Sequence, residues 1–414
     1  MNIEFKNNKP YIESLCLDNI INSHKTPFYI YSQKEIEKTY NYLKKNLPAE
    51  IFFSVKANSN QAILKLMQNL GAGADVVSAG ELKRAINANF KNNKIIFEGV
   101  GKSKEDIEYA VKNNIKLINI ESIKEFEIIN NIGKEKKKIV DIGIRINPNI
   151  DANTLNKIST GKKTDKFGID LNNLDEIVKI LQSSNNLKLK GISCHIGSQI
   201  HEIKIYEKVF LKMKEIADFF LSNNFELDNV DLGGGFGVDY EKDQNKIDII
   251  NMGKLITLIF GKNSYKISFE PGRYLTAKSG IIVTRIINTK TNGNVNFLIT
   301  DAGMHTFIRP SMYNATHRIQ PLKDLNNSKK KYTIAGPICE SSDIISKDIV
   351  LPEQKIDNYL IIHDTGAYGS VMASNYNSRG FPEEILIYQD KIAIIHKNES
   401  ISEIIKKDII PEWL

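Results

Sequence analysis

Residues 51–70 read IFFSVKANSNQAILKLMQNL, an apolar run of β-branched and aromatic residues followed by a stretch with helical spacing. The first half has the composition of a buried strand, and Gln61–Leu70 places its apolar residues on one helical face. The same alternation continues as far as Arg273. It predicts eight strands, at Ile51–Ala57, Asp75–Ser78, Ile95–Gly99, Leu117–Glu121, Asp141–Asn147, Gly191–Gly197, Asn229–Gly233 and Lys266–Gly272.

Near-continuous apolar strands joined by helices indicate a parallel sheet that is covered on both faces. An open doubly wound sheet and a closed barrel both produce this pattern. The count of eight strands and the span of about 225 residues from Ile51 to Arg273 favour closure. The sequence therefore predicts an α/β fold with a (β/α)8 TIM barrel, in which Ser78 and Ser103 are placed to begin helices.

The helical period ends after Arg273, and short strand-like runs separated by turn residues take its place. We expect a second, mostly antiparallel β domain. The predicted boundaries are a barrel over residues 27–275 and a β domain made of residues 1–26 and 276–414. The alternative is that Phe28–Ser32, which has strand character, belongs to the β domain. The strands expected beyond the barrel are Gly280–Thr289, Asn296–Thr300, Lys331–Ile334, Tyr359–His363, Glu384–Tyr388 and Lys391–Ile395.

Composition excludes several classes of protein. Hydrophobic residues make up 41% and charged residues 25% of the 414, which is ordinary globular usage. The net charge of +7 is spread along the chain, so we expect no nucleic-acid partner. We expect no membrane partner either, since no apolar run is long enough to span a bilayer and the N-terminus lacks a signal-peptide pattern. Cys16, Cys194 and Cys339 form no disulfide framework or metal cluster, which fits a cytoplasmic protein without a metal.

Polar side chains stand where the predicted strands end, and in a TIM barrel those ends form the active-site face. Lys56 lies at the end of the first strand, where it suits Schiff-base formation or extends its ammonium from the barrel mouth. His195 lies at the end of the sixth strand, although a lone histidine is more often structural. The seventh strand ends in Gly233-Gly234-Gly235, which suits an anion-binding loop or a flexible turn. The eighth ends in Glu270-Pro271-Gly272-Arg273, which also fits a local ion pair.

Together, these residues match the requirements of pyridoxal phosphate. Its aldehyde needs a lysine amine, its phosphate an anion-binding loop, its pyridine nitrogen an acid, and its ring a flat side chain. Barrels commonly bind phosphate in the loops after strands seven and eight, which here contain Gly233–Gly235 and Glu270–Arg273. An aldolase with a Schiff-base lysine would not need the acid. The strand ends therefore predict a pyridoxal-phosphate site.

Ordered blocks from Thr26 to Asn377 resemble the fold-type III pyridoxal-phosphate-dependent decarboxylases, the class-II ornithine, lysine and arginine decarboxylase family. That family has an alanine-racemase-like fold, a barrel with a β domain. The resemblance therefore implies this fold and the cofactor pyridoxal 5'-phosphate. The blocks are Phe53–Asn58, Asp75–Leu82, Lys166–Gly168, His195–Gln199, Gly233–Gly237, Glu270–Arg273, Arg309–Tyr313, Cys339–Asp343 and Gly366–Gly369.

The resemblance assigns roles to the barrel candidates. It implies that Lys56 forms the Schiff base, His195 stacks on the cofactor ring and Glu270 keeps the pyridine nitrogen protonated. The barrel would thus be the pyridoxal-phosphate-binding domain. The residues implied to hold the phosphate or to lie near it are Ser198, Gly233, Gly234, Gly235, Pro271, Gly272, Arg273 and Tyr368.

The resemblance also implies how the substrate is bound. Arg273, Arg309, Tyr313 and Tyr368 would bind its remote groups. Cys339 would donate a proton, and Glu340 would bind the distal ammonium. In the family these last two residues come from the partner subunit. The β domain would therefore supply substrate-binding residues and the interface of a homodimer with shared active sites.

Substrate choice depends on fewer residues. Glu340 stands where ornithine-type enzymes have Asp, and two arginines suit a second carboxylate. The expected reaction is decarboxylation of meso-2,6-diaminopimelate to L-lysine, the last step of lysine biosynthesis. The alternative is a decarboxylase of ornithine, lysine or arginine. Asn156 and Ser342 depart from the family pattern and leave room for altered substrate scope.

Two other classes fit less well. Alanine racemases usually place an Arg against the pyridine nitrogen, where this chain has Glu270. A non-catalytic pyridoxal-phosphate homeostasis protein is a barrel without a second domain, and it would need neither Cys339 nor Glu340.

Overall fold

The computed structural model describes residues 1–7, 9–151, 165–240, 246–323 and 328–414. Asn156, one of the two departures from the family pattern, lies outside these residues. The chain divides into two compact units. In the described residues, the barrel unit comprises 38–239 and 246–275, and the sheet unit comprises 1–37, Tyr240 and 276–414.

The barrel unit confirms the predicted (β/α)8 fold. In its described residues, eight parallel strands form a closed circle, which closes where the last strand pairs with the first, Ser268 with Glu50 and Phe269 with Ile51. A ninth, short strand, Ile169–Asp170, pairs in parallel with Val140–Asn147 outside this circle. Most strand residues are buried, because one face points into the barrel and the other lies under helices. The strands are Glu50–Ser54, Gly73–Val76, Ile95–Phe97, Leu117–Ile120, Val140–Asn147, Leu187–Ser193, Asn229–Asp231 and Lys266–Phe269.

Helices begin at the serine caps that the sequence predicts. Ser78 Oγ accepts a hydrogen bond from the Glu81 N–H, and Ser103 forms a capping box with Asp106. In the part of the chain that the structure describes, no helix is long and apolar enough to cross a membrane. The α-helices are Leu17–Ser23, Gln33–Asn46, Gln61–Leu70, Ala79–Asn87, Lys104–Asn113, Ile123–Lys136, Leu174–Ser183, Ile203–Ser222, Ile249–Phe260, Arg273–Thr276, Arg309–Tyr313 and Ile401–Ile405.

The sixth barrel strand differs from its predicted range of Gly191–Gly197, since it spans Leu187–Ser193. Its first residues alternate buried leucines with Lys188, which is exposed, and Lys190, which is half-buried. This alternation lacks the apolar run that marks the other strands. The chain leaves the sheet after Ser193, so His195 lies in the loop that follows the strand.

The sheet unit is mostly antiparallel, as predicted. Its longest strand, Gly280–Asn292, pairs antiparallel with three neighbours, one of which is Phe28–Ser32. Phe28–Ser32 also pairs with Glu383–Tyr388, and the two strands of this pair run parallel. The strands of this unit are Glu4–Lys6, Lys9–Ile12, Leu15–Cys16, Phe28–Ser32, Gly280–Asn292, Val295–Thr300, Ile319–Pro321, Lys329–Ala335, Ile344–Pro352, Tyr359–His363, Glu383–Tyr388 and Lys391–His396.

The sheet unit differs from the sequence-based expectation in the boundary with the barrel and in several strands. Phe28–Ser32 lies in its sheet, so the compact barrel unit begins at residue 38 and not at residue 27. All five residues of this strand are buried, and composition therefore does not distinguish it from a barrel strand. Five described strands were not expected, namely Glu4–Lys6, Lys9–Ile12, Leu15–Cys16, Ile319–Pro321 and Ile344–Pro352. Ile344–Pro352 lies at the end of the sheet order with only two of its nine residues buried, so it lacks a buried apolar pattern.

Candidate active site

Lys56 and Asp75 form an ion pair at the carboxyl ends of the first two barrel strands. The first strand ends in a 3-10 turn, Val55–Ala57, which carries Lys56. Its Nζ lies 2.8 Å from Asp75 Oδ2, and the Asp75 side chain is fully buried while that of Lys56 is 41% exposed. A buried carboxylate needs such a partner. The pair therefore fixes the lysine amine at the barrel mouth.

Ser54 connects this ion pair to the eighth strand. Its Oγ lies 2.8 Å from both Asp75 Oδ2 and the backbone oxygen of Glu270. Gly272 also packs closely here, because a Cβ at this position would lie 2.8 Å from the Ala57 Cβ. The ends of the first and eighth strands are thus held together, although they are far apart in the sequence.

Glu270 is a buried carboxyl group with one unsatisfied oxygen. It is 7% exposed, and its Oε1 has no hydrogen-bond partner among the described residues. Burial raises the pKa of Glu270 well above its usual value, and the carboxylates of Asp231 and Asp75 act in the same direction. A cationic N–H group beside Oε1 would supply the missing partner and favour the ionised carboxylate.

The barrel interior holds further buried acids. Burial raises the pKa of Glu98 to about 7 and that of Asp231 to about 6. Glu98 accepts a hydrogen bond of 3.1 Å from Ser193 and lies 3.6 Å from Arg145, which pairs more closely with Glu121 at 3.1 Å. The interior is therefore rich in carboxyl groups relative to cations, an environment that favours a positively charged ligand.

His195 presents a neutral imidazole. The Gly234 N–H donates to His195 Nδ1 at 3.1 Å, so Nδ1 carries no proton. Burial lowers the pKa of His195 well below its usual value, and the positive charges of Arg145 and Lys56 act in the same direction. The ring remains partly exposed. A flat, neutral ring of this kind is suited to stacking on an aromatic ligand.

The loop after the seventh strand requires its glycines. Asp231 Oδ1 accepts the Gly233 N–H at 2.8 Å, and Gly233 and Gly235 have φ of +69° and +83°, in the left-handed region. A Cβ at Gly234 would lie 2.3 Å from the Glu270 backbone oxygen, and one at Gly235 would lie 2.3 Å from the Gly197 oxygen. Glycine alone permits this packing, which gives the loop the shape of an anion-binding turn.

The predicted phosphate residues of the barrel come together around this loop. Arg273 Nε donates to Ser198 Oγ at 3.2 Å, which joins the loops after the sixth and eighth strands. Gly197, the neighbour of Ser198, is also the residue against which Gly235 packs. Arg273 brings a positive charge to this cluster.

The barrel residues fit pyridoxal phosphate. The amine of Lys56, the unsatisfied Oε1 of Glu270, the neutral ring of His195 and the glycine loop beside Arg273 meet the four requirements of that cofactor. Within the described ranges, no group of three or more His, Cys, Asp or Glu side chains is arranged to hold a metal ion.

Three of the remaining predicted residues lie on or near helical turns of the sheet unit. Arg309 begins the helix Arg309–Tyr313, is 5% exposed, and has its guanidinium 4.6 Å from the centroid of the Tyr240 ring. Tyr313 ends that helix and is half-buried. Tyr368 is half-buried and has φ of +54°.

Cys339 and Glu340 stand on an exposed but well-anchored turn. Asp343 accepts the Met304 N–H at 2.6 Å and the Ile338 N–H at 2.8 Å, and it is 3% exposed. Cys339 is an exposed free thiol, and Ser342 on the same turn is also exposed. By contrast, burial raises the pKa of the Cys194 thiol well above its usual value, which leaves Cys194 unreactive.

Sequence reasoning assigned no role to Asp75, Glu98 or Arg145, which the structure places among the candidate residues. Each is a charged residue within or directly after an apolar strand. That position is the one signal by which they could have been found. It does not say which charges pair, because pairing depends on how neighbouring strands align.

The first comparison with known proteins concerns the barrel. Residues 33–277 match the family model described as "Pyridoxal-dependent decarboxylase, pyridoxal binding domain". Fold and site together thus define a pyridoxal-dependent decarboxylase, with pyridoxal phosphate as its cofactor. These findings confirm the enzyme class, the cofactor and the fold class that the sequence predicts.

Similarity to individual proteins extends over the whole chain. Diaminopimelate decarboxylase from Aquifex aeolicus is 34% identical over 408 residues, covering 98% of this chain and 97% of the relative. That of Helicobacter pylori strain J99 is 38% identical over 396 residues, covering 95% and 98%. The solved structure of the enzyme from M. jannaschii with L-lysine has a TM-score of 0.93 and 33% identity, covering 100% and 98%. This chain belongs to the diaminopimelate decarboxylase family.

Proposed function

We propose that this chain decarboxylates meso-2,6-diaminopimelate to L-lysine and CO2 with pyridoxal 5'-phosphate, as the last step of lysine biosynthesis. The observation that carries the proposal is the site at one barrel mouth, where the Lys56 amine and the unsatisfied Glu270 carboxyl lie on adjacent strands. It is supported by full-length relatives that are diaminopimelate decarboxylases, two of which have solved structures with L-lysine.

Lys56 is the residue that would hold the aldehyde carbon of the cofactor. Asp75 Oδ2 lies 2.8 Å from Lys56 Nζ, where it orients the amine and can hold a proton at that nitrogen. Because Asp75 is fully buried, the amine is fixed in place before any ligand arrives. When bound, pyridoxal phosphate supplies the electron sink for the pair that remains as CO2 leaves.

Glu270 would hold the proton at the pyridine nitrogen. Its buried carboxyl group is ionised most readily beside a cation, so a protonated nitrogen at Oε1 satisfies both groups. His195 would cover one face of the ring and exclude water from it. Being neutral, it does not oppose positive charge on the ring. The glycine loop, Ser198 and Arg273 would hold the phosphate.

Substrate recognition would use the residues that the family resemblance implies. Arg273, Arg309, Tyr313 and Tyr368 would bind the remote groups, and Glu340 would bind the distal ammonium. Cys339 would donate the proton to the carbon that has lost CO2. The exposure of its thiol supports this role, since Cys194 is buried. The exposed Cys339–Glu340 turn also supports a homodimer in which these residues serve the site of the partner subunit.

We also place the protein in the cytoplasm, with no nucleic acid or membrane as a partner. The observation that supports this location is that all three cysteines are free thiols, as is typical of a reducing compartment.

The substrate is tested by measuring CO2 release with added pyridoxal phosphate. Purified protein is offered meso-diaminopimelate, L-ornithine, L-lysine and L-arginine in parallel, with Lys56→Ala as the blank. We expect release from meso-diaminopimelate alone. Release from another of the amino acids would overturn the substrate and leave the mechanism in place, and no release from any would overturn the proposed activity.

Shared active sites are tested by mixing two inactive variants. Lys56→Ala and Cys339→Ala subunits, unfolded and refolded together, form heterodimers with one intact site if the two residues serve the same site across the interface. Random pairing then restores about a quarter of the wild-type activity. If the mixture stays as inactive as its components, Cys339 serves the site of its own subunit.

A further inference from the structure

Arg309 is stacked on the ring of Tyr240. The guanidinium carbon lies 4.6 Å from the ring centroid, and the two residues are 5% and 8% exposed. Attraction between a cation and an aromatic face is strongest when both are removed from water. This contact lies within the sheet unit, to which Tyr240 belongs although it follows the glycine loop in the sequence.

The Tyr240 ring is itself held by a chain of contacts. The His317 ring meets it edge-on at 4.8 Å, and Phe307 contacts His317 in turn at 4.7 Å. His317 Nδ1 lies 2.8 Å from the backbone oxygen of His363, so this nitrogen carries the proton and donates it. His363 is the last residue of the strand Tyr359–His363. The Tyr240 ring, on which Arg309 stacks, is thus connected through His317 to the end of the strand Tyr359–His363.

We propose that Tyr240 is a positioning residue, which orients Arg309 toward the remote carboxylate of the substrate. The inference rests on the proposed function, in which Arg309 binds the substrate's remote groups. The N–H donors of a guanidinium lie at its edge, so a ring packed against its flat face fixes the plane in which those donors point, and a planar fork of this kind matches a carboxylate. The contact also restricts a long side chain that would otherwise lose entropy on binding.

A purely structural role for Tyr240 makes a different prediction. If the ring only filled space, its loss would weaken the fold and affect every ligand alike. If it orients Arg309, its loss affects ligands that carry the remote carboxylate. L-Lysine carries this group, and 1,5-diaminopentane has the same chain with two amines and no carboxylate. The two compounds therefore separate the roles as competitive inhibitors.

The test compares Tyr240→Phe, Tyr240→Leu and Tyr240→Met, the last of which keeps most of the volume without an aromatic face. The matched control is Tyr265→Leu, which removes another buried tyrosine, 5% exposed and packed against Phe260. We expect the Leu and Met variants to raise the KM for meso-diaminopimelate and the Ki of L-lysine about tenfold. The values of kcat and the Ki of 1,5-diaminopentane should stay near wild type, as should all values for Tyr240→Phe and Tyr265→Leu.

Arg309→Ala separates the inference from the proposed function. If it does not raise the KM for meso-diaminopimelate, the binding role of Arg309 is wrong and the inference is overturned with it. If it does, but the Leu and Met variants leave the Ki of L-lysine unchanged or raise both Ki values equally, the inference alone is overturned. In the double variant with Tyr240→Leu, the KM should match that of Arg309→Ala. A further rise there would mean that Tyr240 acts independently.

Discussion

In the barrel unit, burial raises the pKa of Glu98 to about 7 and that of Asp231 to about 6, whereas in the sheet unit it lowers the pKa of His305 to about 4 and that of His363 to about 3. Burial thus favours the protonated form of these two barrel acids and the neutral form of these two imidazoles of the sheet unit.

His363 differs from the carboxyl groups of Glu270 and Asp75 in how its surroundings satisfy its polar atoms. His363 has both ring nitrogens in hydrogen bonds, at 3.0 Å to Arg318 and 3.0 Å to Gln320. Glu270 and Asp75 each have one buried oxygen without a hydrogen-bond partner among the described residues. The imidazole of His363 is therefore fully satisfied by its neighbours, whereas Glu270 and Asp75 each keep a buried oxygen that a cationic group could satisfy.

The largest effect is expected at the barrel mouth. Lys56→Ala should lower kcat by roughly 10³-fold or more, because it removes the amine that we propose forms the covalent bond to the cofactor. Borohydride reduction followed by mass spectrometry should find covalently attached cofactor in the wild type and none in the variant. Lys124→Ala, at an exposed position, is the control. Retained attachment in Lys56→Ala would place the Schiff base on another lysine.

The second test compares a buried carboxyl group in each unit. Glu270→Gln should lower kcat by about 10²-fold, since an amide cannot hold a proton on the pyridine nitrogen by charge. Glu384→Gln in the sheet unit also removes a buried carboxyl group, one that accepts a hydrogen bond of 2.6 Å from Tyr31, and it should leave kcat within a few-fold. Steady-state kinetics measures kcat for both variants. If Glu384→Gln lowers kcat as much as Glu270→Gln, the proposed difference between the two buried carboxyl groups is wrong.

The third test uses the pH dependence of stability in the cofactor-free protein. A carboxyl group whose pKa is raised from 4.5 to about 7 stabilises the fold fully below pH 4.5, and this contribution is lost as the pH rises toward 7. Glu98→Gln should therefore gain stability relative to wild type between pH 5 and 8, by on the order of 2–3 kcal/mol. Chemical unfolding at pH 5 and at pH 8 measures the free energy of unfolding of the wild type and of Glu98→Gln. If the difference between the two proteins is the same at both pH values, Glu98 titrates normally.

The smallest effect is expected in the sheet unit, with the opposite sign. The lowered pKa of His363 means that its contribution to stability is complete above pH 6.5 and is lost as the pH falls toward 3. His363→Gln should lose less stability than wild type between pH 7 and 5, by about 1–2 kcal/mol. Chemical unfolding at pH 7 and pH 5 measures the loss of stability in both proteins. Equal losses in the wild type and in His363→Gln would contradict the prediction.

Much of the barrel could be predicted, since buried parallel strands and amphipathic helices each have a local pattern. The sheet unit was less predictable where structure depends on distant partners. Phe28–Ser32 pairs with residues some 250 and 350 positions away, and Ile344–Pro352 has too many exposed residues to show a pattern. In the candidate site, Lys56, His195 and Glu270 could be predicted from their strand ends. Arg145 and Tyr240 could not, because what singles them out is which side chains they contact in the fold.

The contact of Ser54 with the end of the eighth strand also has a consequence for the order of events during synthesis. The lysine that would hold the cofactor is near the start of the barrel, and Glu270 with Arg273 comes more than two hundred residues later. At the usual pace of translation, roughly 10–40 s separate the two on the ribosome. A nascent chain therefore displays its reactive amine long before it can retain a cofactor, and capture of the cofactor is a late step in the maturation of the enzyme.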